Sequence, residues 1–504
     1  MATEALGALQ LYLRETRLLG SINSCLYWDQ NTTMPTAAAA WRGEQLALLA
    51  GQLHKRQCSP AYAALIAAAE QSLDQLDGAE RPGWQRNLQL LREQLERQRK
   101  LDPQLVQHLA AARSRGYSLW QQARSDDDFA LFAPALEELI RLRLEQARQL
   151  AEPRSPWETL AQPFEPDLFH GRLAELFAPL HQRLPVLMER VRSRQRLEPP
   201  AWSLPEPLQL DLCNQLLRAW GFDSSQCVLA RSPHPFSVTL GPNDFRITLR
   251  CAVDQPLSAI LAVAHEWGHS LYEQSLPRGQ AQWFAWPLGD ATSMGVHESQ
   301  SLFWENRVAR SRAFAERWAP RFAERLGAAP WGDGCGFWQA MNPMKPGLTR
   351  VEADELSYCL HILLRYQLEI ELLEQGLPVA ELPRRWTALM QDKLGLIPPS
   401  DSLGCLQDVH WSEGLFGYFP SYALGHLISA QLAEAMEAAI GSIDDHIAAA
   451  EEATLLAWLR QHVHPLGRSV NAEQLVEHVT GRPLSAQPFL TYLEKKLERL
   501  LACS

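Results

Sequence analysis

Apolar residues recur at helical spacings along most of the chain. The segments RGEQLALLAGQLHKR (42–56) and PALEELIRLRLEQARQLAE (134–152) carry leucine and alanine at intervals of three and four, with charged residues between them. This spacing places the apolar side chains on one face of a helix, which packs against other helices while the charged face meets water. The pattern predicts a mainly α protein.

A proline-rich passage interrupts the helical pattern. It reads RLEPPAWSLPEPLQ (196–209), and so many prolines favour a loop over a helix. The passage is the best candidate for a boundary between an N-terminal helical portion, residues 1–200, and a second portion, residues 201–504. We nevertheless expect the two portions to form one continuous domain.

Alternating apolar and polar residues follow this passage. In CVLARSPHPFSVTLGPNDFRITLRCAV (227–253), the alternation lies on both sides of the turn sequence GPND. A period of two is typical of a half-buried strand, and glycine, proline, asparagine and aspartate favour a turn. The sequence predicts a short β-hairpin or small sheet just before the next helix. Its apolar positions are Val238, Leu240, Phe245, Ile247 and Leu249.

The next helix contains a candidate metal site. In ILAVAHEWGHSLYEQ (260–274), an H-E-x-x-H motif is formed by His265, Glu266 and His269. Residues four apart lie on the same helix face, so two imidazoles can bind one ion, while Glu266 beside them can serve as a general base for water. A chance match is expected in roughly a few per cent of chains of this kind. Two ordinary buried histidines are therefore the alternative.

A catalytic zinc site needs a third protein ligand. The longer motif with a third histidine is excluded, because Tyr272 and Ser275 occupy the positions where glycine and histidine are required. The remaining common arrangement takes a glutamate from a second helix. Glu298, in GVHESQSLFWENRVARS (295–311), is the preferred candidate.

Other residues compete with Glu298 for this role. Glu273 follows His269 by four residues and could instead orient that histidine as a hydrogen-bond acceptor. Glu305 lies two turns beyond Glu298 and could support a ligand or be an ordinary surface acid. The competing candidates are Glu273, His297 and Glu305.

Composition narrows the class of protein. The chain has 504 residues, 46% of them hydrophobic, and a formal net charge of −11, which predicts a globular protein and argues against a nucleic-acid partner. Neither a signal peptide nor an apolar run long enough for a bilayer is recognisable, so we expect a cytoplasmic protein with no membrane partner. The nine cysteines include no C-x-x-C pair, and we expect reduced, mostly buried thiols.

Several motifs together resemble those of the M32 family of metallocarboxypeptidases, and they occur in the family's order. The similarity extends over essentially the whole chain, although Thr349 stands where the family usually has an aliphatic residue. The motifs are YWDQNTTMP (27–35), HPF (234–236), DFRIT (244–248), HEWGH (265–269), HESQ (297–300), RVEAD (350–354), GCLQDVHW (404–411) and GLFGYFPSYALG (414–425).

The resemblance implies a fold and an activity. The fold is a large helical, saddle-like body with a deep active-site groove and a small β-sheet near the metal, and the protein is expected to form a homodimer. The activity is zinc-dependent removal of single residues from peptides with a free C-terminus, with broad specificity. Family membership makes Glu298 the expected third ligand and Glu266 the expected base. Co²⁺ or Mn²⁺ could replace Zn²⁺ in such a ligand set.

The resemblance to this and related helical zinc peptidases also implies hydrogen-bond donors for the oxyanion. The aromatic-rich stretch QDVHWSEGLFGYFPSY (407–422) contains candidate donors, and the resemblance makes His410 and Tyr422 the expected ones. Tyr418 belongs to the same stretch. It could share this role or could pack in the core with a satisfied hydroxyl group.

Removal of a terminal residue requires recognition of its carboxylate. Arg350 matches the family position for this role, and the planar guanidinium can bind a carboxylate through two hydrogen bonds. The alternative is a structural ion pair with Glu352 or Asp354. His234 and Arg246 are expected to shape the groove wall, where the small sheet could bind the peptide backbone by strand addition.

Two other functions stay open on the sequence alone. One is an endo-acting zinc oligopeptidase on the same scaffold, which would lack the carboxylate-binding arginine. The other is an inactive helical peptide-binding protein, although no expected catalytic group is missing. The groups present are His265, Glu266, His269, Glu298, Arg350, His410 and Tyr422.

Overall fold

The computed structural model describes residues 2–75, 78, 80–193, 201–278 and 283–503, and α-helices form most of them. The N-terminal helices are α1 (Ala2–Thr32), α2 (Ala39–Gln57), α3 (Pro60–Ser72), α4 (Arg81–Arg99), α5 (Pro103–Asp126), α6 (Phe129–Leu150), α7 (Pro156–Ala161) and α8 (His170–Arg192). The later helices are α9 (Glu206–Ala219), α10 (Ser258–Ser275), α11 (Met294–Leu302), α12 (Arg312–Leu326), α13 (Gly334–Met341), α14 (Tyr358–Leu373), α15 (Leu382–Leu394), α16 (Pro420–Ile440), α17 (Ile443–Ala448), α18 (Glu452–His462), α19 (Ala472–Thr480) and α20 (Gln487–Ala502). The prediction of a mainly α protein is confirmed.

Short helices of other kinds connect these elements. A π-helix, Phe303–Ala309, continues directly from α11. The 3₁₀ segments are Thr36–Ala38, Leu73–Gln75, Trp283–Ala285, Pro287–Gly289, Arg350–Glu352, Val379–Glu381, His410–Glu413 and His464–Ser469. Among the described residues, no helix carries an apolar stretch that could cross a bilayer.

A three-stranded sheet lies against α10. Its strands are β1 (Cys227–Arg231), β2 (Ser237–Gly241) and β3 (Asp244–Leu249), in the order β1-β3-β2. β2 and β3 form the predicted antiparallel hairpin, whereas β1 adds a parallel partner on the other side of β3. The side chains of Ile247 and Leu249 are fully buried, as their alternation with polar residues predicts. The small sheet therefore lies beside the helix that carries the H-E-x-x-H motif.

One large apolar core joins helices from both sides of the proline-rich passage. It includes Trp157 and Leu173 from the N-terminal portion and Leu216 and Trp267 from the second portion. Residues 196–200 of the passage lie outside the described residues, and the division of the chain at residue 200 stays a prediction. A smaller core is formed mainly by α1, α3 and α4, and it also includes Trp286.

Glycines allow α10, α11 and α16 to approach closely. A Cβ atom on Gly268 of α10 would lie 2.8 Å from the Cα atom of Ser301 in α11. A Cβ atom on Gly425 of α16 would lie 2.7 Å from Cγ of Glu298, on the other side of α11. Both distances are shorter than carbon atoms tolerate, so neither position has room for a side chain. The two glycines fix how near α11 lies to its neighbours.

One disulfide corrects the expectation of reduced thiols. Cys335 on α13 and Cys503 after α20 are bonded, with their Cα atoms 6.0 Å apart. The expectation is wrong for this pair because folding brings together two helix ends that are 168 residues apart in the sequence, which cysteine spacing does not reveal. The buried free cysteines are Cys213, Cys227, Cys359 and Cys405.

We predict that Gly268→Ala destabilises the protein by about 1–3 kcal/mol, because the new methyl group forces α10 and α11 apart. A shift of the urea unfolding midpoint to lower concentration measures this loss. Gly43→Ala in α2 is the matched control, since its Cβ atom would meet open space. An equal shift in both variants would contradict the close-packing account.

Candidate metal centre

Helix α10 is buried on one side and faces a groove on the other. Ile260, Val263 and Trp267 belong to the main core, and Trp267 Nε1 donates a hydrogen bond of 3.1 Å to the Trp220 carbonyl. Pro277 follows the helix closely and cannot continue it. This anchoring turns the opposite face of α10, with His265 and His269, toward the groove.

Helix α11 brings Glu298 to these two histidines. One ligand atom from each of His265, His269 and Glu298 can be chosen so that all three lie within 4.8 Å of one another. His269 Nε2 is 3.6 Å from Glu298 Oε2, and the two imidazole rings have centroids 4.8 Å apart. Two imidazoles and one carboxylate form a donor set that suits Zn²⁺, Co²⁺ or Mn²⁺. Within the described ranges, no other group of three such ligands is found.

Glu305 lies behind His265. Its Oε2 atom is 2.9 Å from His265 Nδ1, and its Oε1 atom accepts two hydrogen bonds from Arg310. Burial raises the pKa of Glu305, but Arg310 and His265 outweigh this effect and lower the pKa to about 2. With Nδ1 held in this way, Nε2 is the nitrogen left to bind a metal. Glu305 therefore supports a candidate ligand and does not join the cluster.

Glu273 and His297 contact each other beside the cluster. Glu273 Oε1 is 3.2 Å from His297 Nε2, and Glu273 Oε2 accepts hydrogen bonds from Arg278 and Thr239. Glu273 thus makes no hydrogen bond to His269, contrary to the alternative considered from the sequence. The His297 ring packs against the His269 ring, with centroids 4.5 Å apart.

A carboxylate from the N-terminal portion holds the start of α11. Glu165, which follows α7, is buried and accepts a short hydrogen bond from the Gly295 backbone N–H. Ser293 caps the same helix by accepting a hydrogen bond of 3.1 Å from the Val296 N–H. Burial raises the pKa of Glu165 to about 7. Sequence reasoning missed Glu165, because nothing near it in the chain indicates a partner 130 residues away.

A groove of about 760 Å³ lies over the candidate ligands. Glu266 is 8% exposed and lines this groove, and burial raises its pKa to about 7. Residues from the sheet, the RVEAD segment and α16 also line the groove. Its lining includes the predicted site residues His234, His265, Glu266, His269, Glu298, Arg350, Tyr418 and Tyr422.

Arg350 is buried at the far wall of the groove. Its Nε donates to Asp408 Oδ1 at 2.9 Å, and its Nη1 donates to the Tyr358 hydroxyl at 3.0 Å. Its Nη2 makes no hydrogen bond within the described residues. Arg365 donates to the other Asp408 oxygen at 2.6 Å. Burial raises the pKa of Asp408, but the two arginines more than reverse this and hold the pKa far below its usual range.

The ion-pair partner of Arg350 is thus neither of the two acids considered from the sequence. Asp354 instead accepts hydrogen bonds from the backbone N–H groups of Leu356 and Ser357. Asp408 lies in the GCLQDVHW motif, so its position was visible, but only the fold shows that it bridges two arginines.

His410 and Arg246 do not line the groove. His410 lies behind Tyr422, with its Nε2 atom 3.2 Å from the tyrosine hydroxyl, and burial lowers its pKa to about 3. Arg246 donates two hydrogen bonds to Asp244, and its guanidinium carbon lies 5.5 Å from the ring centroid of Trp28. His410 therefore reaches the groove only through Tyr422, whereas the contacts of Arg246 lie outside the groove lining.

Comparison with known proteins identifies related chains over nearly the whole length. The family model "Carboxypeptidase Taq (M32) metallopeptidase" matches residues 8–497. Thermostable carboxypeptidase 1 of Thermus thermophilus is 38% identical, with 97% of each chain covered. Carboxypeptidase 1 of Bacillus subtilis is 31% identical, with 94% of each chain covered.

Solved structures agree with these matches. The crystal structure of the M32 carboxypeptidase from Deinococcus radiodurans R1 is 33% identical and has a TM-score of 0.93, covering 99% of this chain and 100% of that one. Trypanosoma cruzi metallocarboxypeptidase 1 is 32% identical and has a TM-score of 0.92, covering 98% and 99%.

We predict that Glu305→Gln lowers metal affinity by about 10-fold to 100-fold, because His265 loses its anionic partner while all three candidate ligands remain. Competition with a chelator of known affinity measures the change. Glu316→Gln on the exposed side of α12 serves as the control and is expected to bind metal as the wild type does. Unchanged affinity in Glu305→Gln would show that this carboxylate does not support the site.

Proposed function

Since the chain belongs to the carboxypeptidase Taq (M32) family of metallopeptidases, we propose that it removes single C-terminal residues from peptides with broad specificity, using Zn²⁺. Metallocarboxypeptidase activity follows from the family and its named relatives. The observation that carries the finer proposal is the groove itself, which holds His265, His269 and Glu298 on one wall and a buried arginine on another.

The donor set is the basis for the proposed metal. His265, His269 and Glu298 would hold the ion, which when bound lowers the pKa of water and polarises the scissile carbonyl. Co²⁺ or Mn²⁺ would fit the same ligands. Glu305 would support the metal site, because its contact with His265 Nδ1 keeps the imidazole ring in one orientation.

Glu266 is the proposed general base. It lies next to His265 in the sequence and lines the groove, where its side chain is largely buried. From this position it would accept a proton from the attacking water and pass it to the amine of the leaving residue. Both transfers need only the one carboxylate.

Tyr422 is the proposed donor to the oxyanion. Its ring lines the groove, and its hydroxyl contacts His410. Because burial keeps His410 neutral, the imidazole can position the hydroxyl without adding a positive charge behind it. His410 would thus act through Tyr422. The Tyr418 ring centroid lies 5.3 Å from that of Tyr422, a position that suits either a second donor or a packing partner.

Arg350 is the proposed binding group for the terminal carboxylate. Asp408 and Tyr358 use its Nε and Nη1 atoms, and its Nη2 atom has no hydrogen bond within the described part of the chain. This arrangement fixes the plane of the guanidinium and leaves a donor for the substrate. Asp408, held between two arginines, would keep Arg350 oriented.

The remaining proposals concern substrate fit and assembly. Ser237 at the start of β2 lines the groove, so a peptide backbone could extend the sheet there. This mode of binding tolerates many side chains in the peptide. His234 would shape the same wall, whereas Arg246 pairs with Asp244 of its own strand, β3. The homodimer and the cytoplasmic location that the resemblance implies stay predictions.

We predict that Glu266→Gln retains its metal but loses about 10²-fold to 10⁴-fold in kcat, because the base is lost while the ligands remain. An N-blocked dipeptide with a free C-terminus is the substrate, and metal content is measured on the same sample. Glu324→Gln, exposed on α12, is the control. Turnover at the wild-type rate would remove Glu266 from the mechanism.

We predict that Arg350→Gln lowers kcat/KM for the free acid by about 30-fold or more, because the terminal carboxylate loses its charged partner. The same dipeptide as a C-terminal amide is the comparison, and the wild type should cleave it far less well than the acid. Arg384→Gln, exposed on α15, is the control. Equal cleavage of acid and amide by the wild type would instead favour an endo-acting peptidase.

A further inference from the structure

A second cavity lies behind the metal centre. It has a volume of about 210 Å³ and is formed by the π-helix together with α13, α16, α17 and α20. It shares the wall residues Asn306 and Arg310 with the groove, so the two cavities lie on opposite sides of one segment. None of the residues assigned to the peptidase reaction lines it.

The cavity is rich in positive charge. Most of its charged groups are paired with each other or with neighbours: Lys496 donates to Glu355 at 2.7 Å, and Arg499 donates to Asp444 at 3.1 Å. Arg310 and Glu434 have partners of their own. The basic residues in the lining are Arg307, Arg310, Lys495, Lys496 and Arg499, and the acidic residues are Glu434, Glu437 and Asp444.

Arg307 differs from the other basic residues. Its guanidinium carbon lies 3.2 Å from the ring centroid of Tyr492, so the group is stacked on the tyrosine. The Tyr492 hydroxyl is fixed in turn, because it donates to the Asn306 carbonyl at 3.1 Å and lies 3.3 Å from Glu355. No hydrogen bond or ion pair to the Arg307 side chain occurs among the described residues.

Arg307 is half-buried in the lining of the cavity, and this burial lowers its pKa. Stacking on an aromatic ring satisfies the face of the guanidinium but leaves its N–H groups without acceptors. Those N–H groups are therefore free to bind an acceptor that enters the cavity.

We propose that this cavity binds a small oxyanion, a carboxylate or a phosphate, through the guanidinium of Arg307. Lys495 lies exposed in the same lining, forms no ion pair within the described ranges, and supplies the second positive charge. The flat guanidinium matches either anion by paired hydrogen bonds, and the cavity accommodates a small ion with a few waters. The proposal does not depend on the peptidase mechanism, since the two cavities use different side chains for binding.

Calorimetric titration of the metal-loaded protein with inorganic phosphate, and separately with acetate, tests the site. Arg307→Gln is expected to weaken binding of the preferred ion by at least about 10-fold. Arg384→Gln removes an exposed arginine elsewhere and is expected to leave the affinity unchanged. Tighter binding of phosphate would identify a phosphoryl ligand, and tighter binding of acetate a carboxylate.

Lys495→Gln keeps the test decisive if Arg307→Gln fails to fold after losing its stack on Tyr492. Because Lys495 is exposed, this variant should fold, and it is expected to weaken binding by about threefold or more. Equal affinity in the wild type, Arg307→Gln and Lys495→Gln would place the ion elsewhere, for example in the groove, and would overturn the proposal. Absence of binding by either ion to the wild type would also overturn it.

Discussion

The close contact between α10 and α11 is the constraint on which the candidate metal centre depends. α10 supplies His265 and His269, whereas α11 supplies Glu298, so the three candidate ligands converge only if the helices pack at this distance. Gly268 removes the side chain that would separate the two helices, and Gly425 does the same where α16 meets α11. Glycine weakens a helix by about 1 kcal/mol relative to alanine. At these two positions the chain thus gives up some helix stability and gains the close packing that the site requires.

Buried charge around the groove is held in pairs and chains. Glu305 connects Arg310 to His265 behind one wall, and Asp408 connects Arg350 to Arg365 behind another. Each arrangement gives a buried ion the partners that offset its desolvation. His265 and Arg350 both line the groove, and each keeps one nitrogen without a hydrogen bond to the described residues. The same groups therefore stabilise the fold and orient the site.

Local patterns in the sequence predicted the local structure well. The spacing of apolar residues predicted helices α2, α6 and α10, and the alternation of apolar and polar residues predicted the β2–β3 hairpin. The H-E-x-x-H spacing placed His265 and His269 on one face of a helix. The misses were long-range: the parallel pairing of β1, the Cys335–Cys503 disulfide and the capping of α11 by Glu165. These features join residues that are distant in the sequence. Local patterns in a single sequence do not show which distant segments come into contact. Asp408 was visible within a motif, but its role requires the positions of both arginines.

Anomalous diffraction from a crystal of the zinc-loaded protein would show whether α10 and α11 together form the metal site. We expect one strong zinc peak within bonding distance, about 2.0–2.2 Å, of His265, His269 and Glu298, with Glu305 hydrogen-bonded to His265 behind it. A peak coordinated by Glu273, His297 or Glu305 in place of Glu298 would show instead that the contact between the two helices does not define the ligand set.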